Sequence, residues 1–258
     1  MCNTPSYASK AFDEAIRRGY SLLFPVFAAA KPVEVAPGVF RIQDTVNVYA
    51  VVRNHKALLI DFGSGRALDE LKTIGGPKPE WILHTHFHRD RSQGDPLAKS
   101  RGIKIAVPDA ERRYFDDVEK MWQEKKIFML YDMRNEFFAL RENVPVDRGP
   151  KPNEEFNWEG ITLRAIATPG HTQGQISYLV DIEDKKILFC GDTVSAPGKI
   201  PTLHDLEWPY LGSPDFLPRC VPLVRSARSR PACSFLPMAS QSVSHWTGFP
   251  RSSRKSPA

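Results

Sequence analysis

Trp81-Ile82-Leu83-His84-Thr85-His86-Phe87-His88-Arg89-Asp90-Arg91-Ser92-Gln93-Gly94 is the stretch on which the reading of this chain turns. Its apolar opening, Trp81 to Leu83, reads as a short buried strand, and the polar residues begin where that strand stops. His86 and His88 are two residues apart and Asp90 lies two further on. On a tight loop leaving a strand, this spacing turns two imidazoles and a carboxylate towards one point, a donor set that suits borderline metals such as zinc. A lone His-x-His is weak, because histidines so spaced often just line one face of a strand. The added aspartate strengthens the signal, since three polar groups gathered there are expensive to bury without a metal or partners.

Two later stretches complete the set. Thr168-Pro169-Gly170-His171-Thr172-Gln173-Gly174 puts a histidine on a Pro-Gly turn directly after the strand-like Ile161 to Ala167. Ile187-Leu188-Phe189-Cys190-Gly191-Asp192-Thr193 ends another apolar strand on Gly-Asp. In these three motifs and their order the chain resembles the metallo-β-lactamase superfamily over roughly residues 33 to 215. That family's pattern is His-x-His-x-Asp-His, a Gly-His, a Gly-Asp and a last histidine. The chain departs from it twice: Arg91 stands where most members have histidine, and no clear final histidine follows Asp192.

The resemblance implies a function and a set of roles. His86, His88 and His171 would form one zinc site with an open fourth position, the arrangement that lowers the pKa of a bound water towards ~7. Asp90 and Asp192 would serve a second, adjacent site, with Asp192 bridging, so one or two zinc ions are expected. Asp90 would orient the attacking water or take its proton. The expected activity is metal-dependent hydrolysis of an ester, thioester or lactam-type carbonyl in a small-molecule substrate. Two rivals stand beside it: a mono-iron oxygenase, since some relatives hold iron through the same histidines, and an inactive chain lacking the last ligand. Arg91 is expected in a salt bridge beneath the metal loop, or alternatively against an anionic substrate group. Cys190 reads as a small apolar residue ending its strand, His84 as pointing away from the metal, and His204 as a pocket-border residue.

Bulk charge misleads unless it is located. The chain has 258 residues, 41% of them hydrophobic, a formal net charge of +5 and a pI near 9.0. Residues 216–258 hold seven basic and no acidic side chains, which leaves the rest at −2. The body is therefore close to neutral and is not expected to bind nucleic acid. The four cysteines show no Cys-x-x-Cys spacing, which suits a reducing, cytoplasmic setting. Tyr20 to Ala30 is too short to span a bilayer, and acidic Asp13 and Glu14 precede it, against a signal peptide.

Along the chain, residues 1–32 are expected as an N-terminal helical segment, with Phe12, Ile16, Tyr20 and Leu23 at helical spacing and Pro25 as the stop. Gly38 to Ile42, Val46 to Arg53 and Ala57 to Asp61 read as an antiparallel meander turning at Asn54-His55. Asp61 is expected to bond the backbone of the metal loop, as the resemblance implies, or to cap a helix near Arg66. A helix is expected from Ser92 to about Arg101, a strand from Ile103 to Val107, a helix opening at Asp109, and an aromatic helical insert over 114–140. Phe156 to Trp158, Ile161 to Ala167, Ile176 to Asp181 and Lys186 to Phe189 form a second run of strands, with Glu183-Asp184 as a hairpin turn. This pattern alone supports α/β or α+β; the resemblance implies a four-layer αβ/βα sandwich over residues 33–215 whose second half is incomplete.

Residues 216–258 are rich in Ser, Arg and Pro and are expected as a disordered tail that supplies no metal ligand. The strand Lys186 to Phe189 would then be left with a bare edge. Codons offer a reason. A two-base frame shift across Leu236 to Val243 gives, among the permitted translations, Pro-Ser-His-Gly-Gln-Pro-Val, which resembles the family's last metal motif.

Overall fold

The computed structural model describes residues 31–124, 140–183, 185–193 and 233–236. The expected N-terminal helix, residues 125–139 of the insert, His204 and most of the tail lie outside the described residues.

Alternation of apolar and polar side chains generates two sheets. The first has six strands in sequence order: β1 (Val33–Ala36), β2 (Val39–Gln43), β3 (Asn47–Arg53), β4 (Lys56–Ile60), β5 (Lys78–Leu83) and β6 (Lys104–Ala106). β1 to β4 form the antiparallel meander, and β4, β5 and β6 run parallel. The two-residue turn at Asn54-His55, with φ of 49° and 58°, has the positive angles of a hairpin turn whose twist matches its strands. β1 had no counterpart in the sequence reading. The second sheet runs β11-β10-β9-β8-β7, with β7 (Glu155–Trp158), β8 (Ile161–Ala167), β9 (Ile176–Ile182), β10 (Lys185–Phe189) and β11 (Cys233–Leu236).

β3 and β4 show why the layers stack as they do. Val48, Ala50, Ala57 and Leu59 face one core, while Tyr49, Val51, Leu58 and Ile60 face the other. Both faces of the first sheet are thus buried, as period-2 alternation between two apolar sets requires. The outer core packs the sheet against helical residues Ala67, Leu71, Ala98, Phe115, Val118 and Met121. The inner core joins the two sheets, with Leu163, Ala165, Tyr178, Val180 and Phe189 set against Tyr49, Val51 and Ile60. The architecture is an α/β sandwich with two sheets face to face and, among the described residues, helices on the outer face of the first sheet. The described part of the aromatic insert follows this plan: Tyr114, Phe115, Val118 and Met121 are core residues.

Two expectations change here. The single helix over Ser92 to Arg101 is two short ones, Arg89–Ser92 and Asp95–Ser100, split at Gly94. A Cβ on Gly94 would lie 2.6 Å from the Gly65 backbone nitrogen, so the chain needs glycine where these two loops touch. The tail is not wholly without structure: Cys233–Leu236 pairs in parallel with Lys186 to Phe189, so β10 has a neighbour on the edge expected to be bare. Pairing of a four-residue strand rests on backbone bonds across the sheet, which sequence periodicity in a short Ser- and Pro-flanked run does not announce.

Candidate metal centre

The site forms where strands of both sheets end. β5 ends at Leu83, and the next backbone is held by the neighbouring strand ends: His84 N–H donates to Ala106 O (2.8 Å) and Ile176 N–H to Thr85 O (3.0 Å). Asp61 lies beneath the loop, as the resemblance implied, and its Oδ1 accepts from Thr85 N–H at 2.8 Å. Its own backbone is left-handed, φ 57°, a conformation that costs a non-glycine residue energy and that the surrounding bonds hold in place. The alternative capping role is not seen: Asp44, not Asp61, accepts from Arg66 N–H at 3.1 Å.

The structure brings His86, His88 and His171 together. His86 Nε2 and His88 Nδ1 are 3.2 Å apart, and His171 Nε2 is 2.8 Å from the same His88 Nδ1. The three ligand atoms lie within 4.8 Å of one another, on rings mutually inclined by 79–87°. Thr85 and Asp61 fix which nitrogen of His86 carries the proton. Thr85 Oγ1 lies 3.0 Å from Asp61 Oδ2, a carboxylate that can only accept, so the hydroxyl gives it its one proton. It must then accept from His86 Nδ1–H, 3.0 Å away, which leaves a lone pair on Nε2 facing the other two histidines. Burial, reinforced by the Arg91 charge, holds the His86 pKa well below the usual imidazole value, so the ring is neutral, and an incoming ion would take the Nε2 lone pair that Arg91 Nε–H now meets at 3.1 Å. Three converging ring nitrogens in a buried pocket fit a borderline divalent cation.

The carboxylates are placed less symmetrically. Asp192 Oδ2 is 3.2 Å from His171 Nε2 and 3.8 Å from His86 Nε2, while its Oδ1 accepts a short hydrogen bond from Arg91. Burial alone would raise the Asp192 carboxyl, but Arg91 and His171 outweigh it and hold it below the ordinary value. Burial does raise Asp90, against the opposing pull of Arg91, and its Oδ1 has no hydrogen-bond partner among the described residues. Arg91 is 1% exposed and forms the expected salt bridges, to Asp192 and to Asp61 (3.3 Å), while its Nε–H donates to His86 Nε2 (3.1 Å). A guanidinium therefore already pairs with Asp192, one of the two carboxylates that a second cation would need. A fourth histidine, His84, is buried between Asp95 (2.9 Å) and Asp61 (3.4 Å) and is not part of the His86–His88–His171 cluster. Burial would lower its pKa, yet the two carboxylates outweigh this and raise it to about 9. Cys190 is a buried strand-end residue.

Sequence reading missed Thr85 and Gln175, which brace the loops, and Glu111. Gln175 Nε2 donates to Cys190 O (3.2 Å) and to Thr193 Oγ1 (2.6 Å), tying the loop after His171 to the loop bearing Asp192. No local motif marks these residues, because each acts on a segment far away in the chain.

Comparison with known proteins shows the family and the fold. Hydroxyacylglutathione hydrolases of Brucella ovis and Brucella abortus are 31% identical over 141 residues, 54% of this chain and 43% of theirs. The match thus spans less than half the length of these curated relatives. A Cronobacter sakazakii metallo-beta-lactamase with a HARLDQ motif shares the fold at a TM-score of 0.61 and 20% identity, covering 81% of this chain and 80% of that one. A subclass B3 metallo-beta-lactamase of Bradyrhizobium japonicum superposes with a TM-score of 0.62 and 20% identity over 82% and 78%. No helix among the described residues is long and apolar enough to cross a membrane. The metallo-beta-lactamase superfamily model matches residues 41–232, and with three motifs, two stacked sheets and a histidine triad at their common edge, this chain belongs to that superfamily.

Proposed function

We propose that the chain is a metal-dependent hydrolase of an ester, thioester or lactam-type carbonyl, built on one ion held by His86, His88 and His171. Zinc is a borderline ion well suited to three imidazole nitrogens. The observation that carries this reading is the convergence of three ring nitrogens within 4.8 Å in a buried pocket, one of them with its lone pair fixed by Thr85. Such an ion supplies an activated water and a Lewis acid for the carbonyl oxygen. The chain's own groups do the rest. Asp90, raised by burial and carrying a carboxylate oxygen with no hydrogen-bond partner among the described residues, is suited to accept the proton of the attacking water and pass it on. Asp192 steadies His171, and Arg91 holds Asp192 in place while compensating its charge. Because Arg91 occupies the acidic side of the pocket, we assign one metal per chain rather than two. The relatives' name makes an acylated glutathione thioester the first small-molecule substrate to try. A soluble, cytoplasmic enzyme with no nucleic-acid partner fits the near-neutral body and sparse cysteines.

The test is metal content and turnover in the same preparation. Protein purified without added metal should hold about one zinc per chain and hydrolyse a thioester or chromogenic lactam above its chelator-treated control. His88→Ala removes one of three ligands and should emerge from dialysis largely empty. Full occupancy in that variant would sink the ligand assignment, and stoichiometric iron without zinc would favour an oxygenase instead.

A further inference from the structure

Glu111 is an acidic side chain with no role in the reaction above, yet it is 1% exposed. It ends the short helical turn Asp109–Glu111, just after β6, and its carboxylate reaches both metal loops at once. Oε2 accepts from Phe87 N–H at 2.7 Å, and Phe87 is the residue between His86 and His88. Oε1 accepts from Gly174 N–H at 2.9 Å and from the Thr172 hydroxyl in a short hydrogen bond. Thr172 follows His171 directly and Gly174 lies two residues further on. One carboxylate thus ties a loop that leaves the first sheet to a loop that leaves the second, across 24 residues on one side and 61–63 on the other.

The surroundings are shaped to admit it. A Cβ on Gly174 would lie 2.5 Å from Glu111 Cγ and 3.0 Å from Ala110 Cβ, so the turn after His171 has room for this side chain only because residue 174 is glycine. The donors are also oriented so that both oxygens must accept. Neither backbone N–H can reverse its role, and a buried carboxylate offers enough lone pairs to take all three bonds. These bonds fix backbone, and the backbone fixes where His86, His88 and His171 aim.

We propose that Glu111 is a positioning residue that sets the mutual aim of the three histidines, and that metal affinity depends on it although it is not a ligand. The proposal rests on the three-histidine metal reading. Glu111→Gln keeps the shape but has one acceptor oxygen, so its amide nitrogen must face either Phe87 N–H or the Gly174 N–H and Thr172 pair. Glu111→Ala removes both sides of the bridge. Partners of this kind typically change metal affinity by about 10–100-fold when lost.

The experiment is competition for zinc against a chromogenic chelator, together with the visible d–d spectrum of the cobalt(II)-loaded protein, for wild type, Glu111→Gln, Glu111→Ala and Thr172→Val. Far-ultraviolet circular dichroism confirms that each variant is folded. The expected result is zinc affinity lowered by about 10–100-fold in the alanine variant, less in the glutamine variant and least in Thr172→Val. Altered cobalt bands should accompany it, a change that loss of stability alone would not produce. If the alanine variant does not fold, the other two carry the test. Folded Glu111 variants with wild-type zinc affinity and an unchanged cobalt spectrum would overturn the proposal. A wild-type chain that takes up neither metal would instead refute the histidine-site reading itself, and the proposal with it.

Discussion

Replacing Arg91 by Met should destabilise the metal-free protein by about 3–5 kcal/mol, the cost of leaving buried carboxylates without their counter-ion. The structure sets the magnitude. Arg91 is 1% exposed, its Nη1 is 3.3 Å from the wholly buried Asp61, and its Nη2 is bonded to Asp192. At 3.3 Å and an effective dielectric of about 20, the Arg91–Asp61 attraction alone is about 5 kcal/mol. The guanidinium's own desolvation, relieved in the variant, offsets part of this, while the second stranded carboxylate adds to it. Methionine fills most of the volume, so cavity formation contributes little. The assay is urea unfolding of chelator-treated protein. At a slope of about 2 kcal/mol/M, the midpoint should fall by about 2 M with the slope unchanged. Adding Asp192→Asn to Arg91→Met should recover part of the loss, because one of the two stranded charges is then gone, and a double-mutant cycle reads the coupling. A loss below about 1 kcal/mol for Arg91→Met, or no coupling with Asp192, would refute the claim that Arg91 acts as the built-in counter-ion of this pocket.

Two further outcomes test the scaffold around the site. Asp147 Oδ2 accepts from Lys99 Nζ and Ile105 N–H, each at 2.7 Å; burial alone would raise its carboxyl, but these partners outweigh it and hold it below the ordinary value. A depressed folded-state pKa gives stability that is present above the unfolded value and lost as pH falls through the folded one. Asp147→Asn should therefore cost about 1 kcal/mol at neutral pH, with the gap to wild type closing as pH falls below the ordinary carboxylate range; a gap constant with pH in denaturant titrations would contradict the assignment. Gly63 has φ +59°, and a Cβ there would lie 2.7 Å from Asp44 Cγ, the carboxylate that also accepts from Ser64 N–H, Ser64 Oγ and Arg66 N–H. Gly63→Ala should cost about 2–3 kcal/mol, against about 1 kcal/mol for Gly75→Ala, where a Cβ meets nothing within 4 Å; equal thermal midpoints for the two variants would show that the Asp44 clamp carries no weight.

What could be read from the chain beforehand was whatever its local pattern encodes. The strands around Leu58, Ile82, Leu163 and Ile187 were legible because their apolar runs are short, alternating or bounded by turns. The three histidines were legible because two of them share a four-residue window at a strand end. Asp61 was legible through the resemblance alone, since its bond to Thr85 spans 24 residues. Glu111, Asp95 and Asp44 were not legible. Each is one ordinary acid among 30 acidic residues, and what distinguishes it is a partner brought near by folding. β11 escaped for a related reason: it pairs with a strand 47 residues earlier, and its four residues have no alternation of their own to report. Gly94 was read as part of a helix because propensity does not register the approach of Gly65.

That the centre draws on both sheets has a consequence for the order in which the molecule is made. β2 to β4 and β7 to β10 are runs of antiparallel neighbours whose contacts are close in sequence, and such pairings form early and fast. His171 meets His88 across 83 residues, and Asp192 meets Arg91 across 101. Each meander can thus take shape on its own clock, but the pocket comes into being only when the two sheets close on their shared core. A nascent chain that has emerged as far as His88 holds two of its imidazoles and no cage. On the proposed metal reading, uptake of an ion is in that sense a report on folding at its last step, and a chain arrested between its halves would be recognisable by its emptiness.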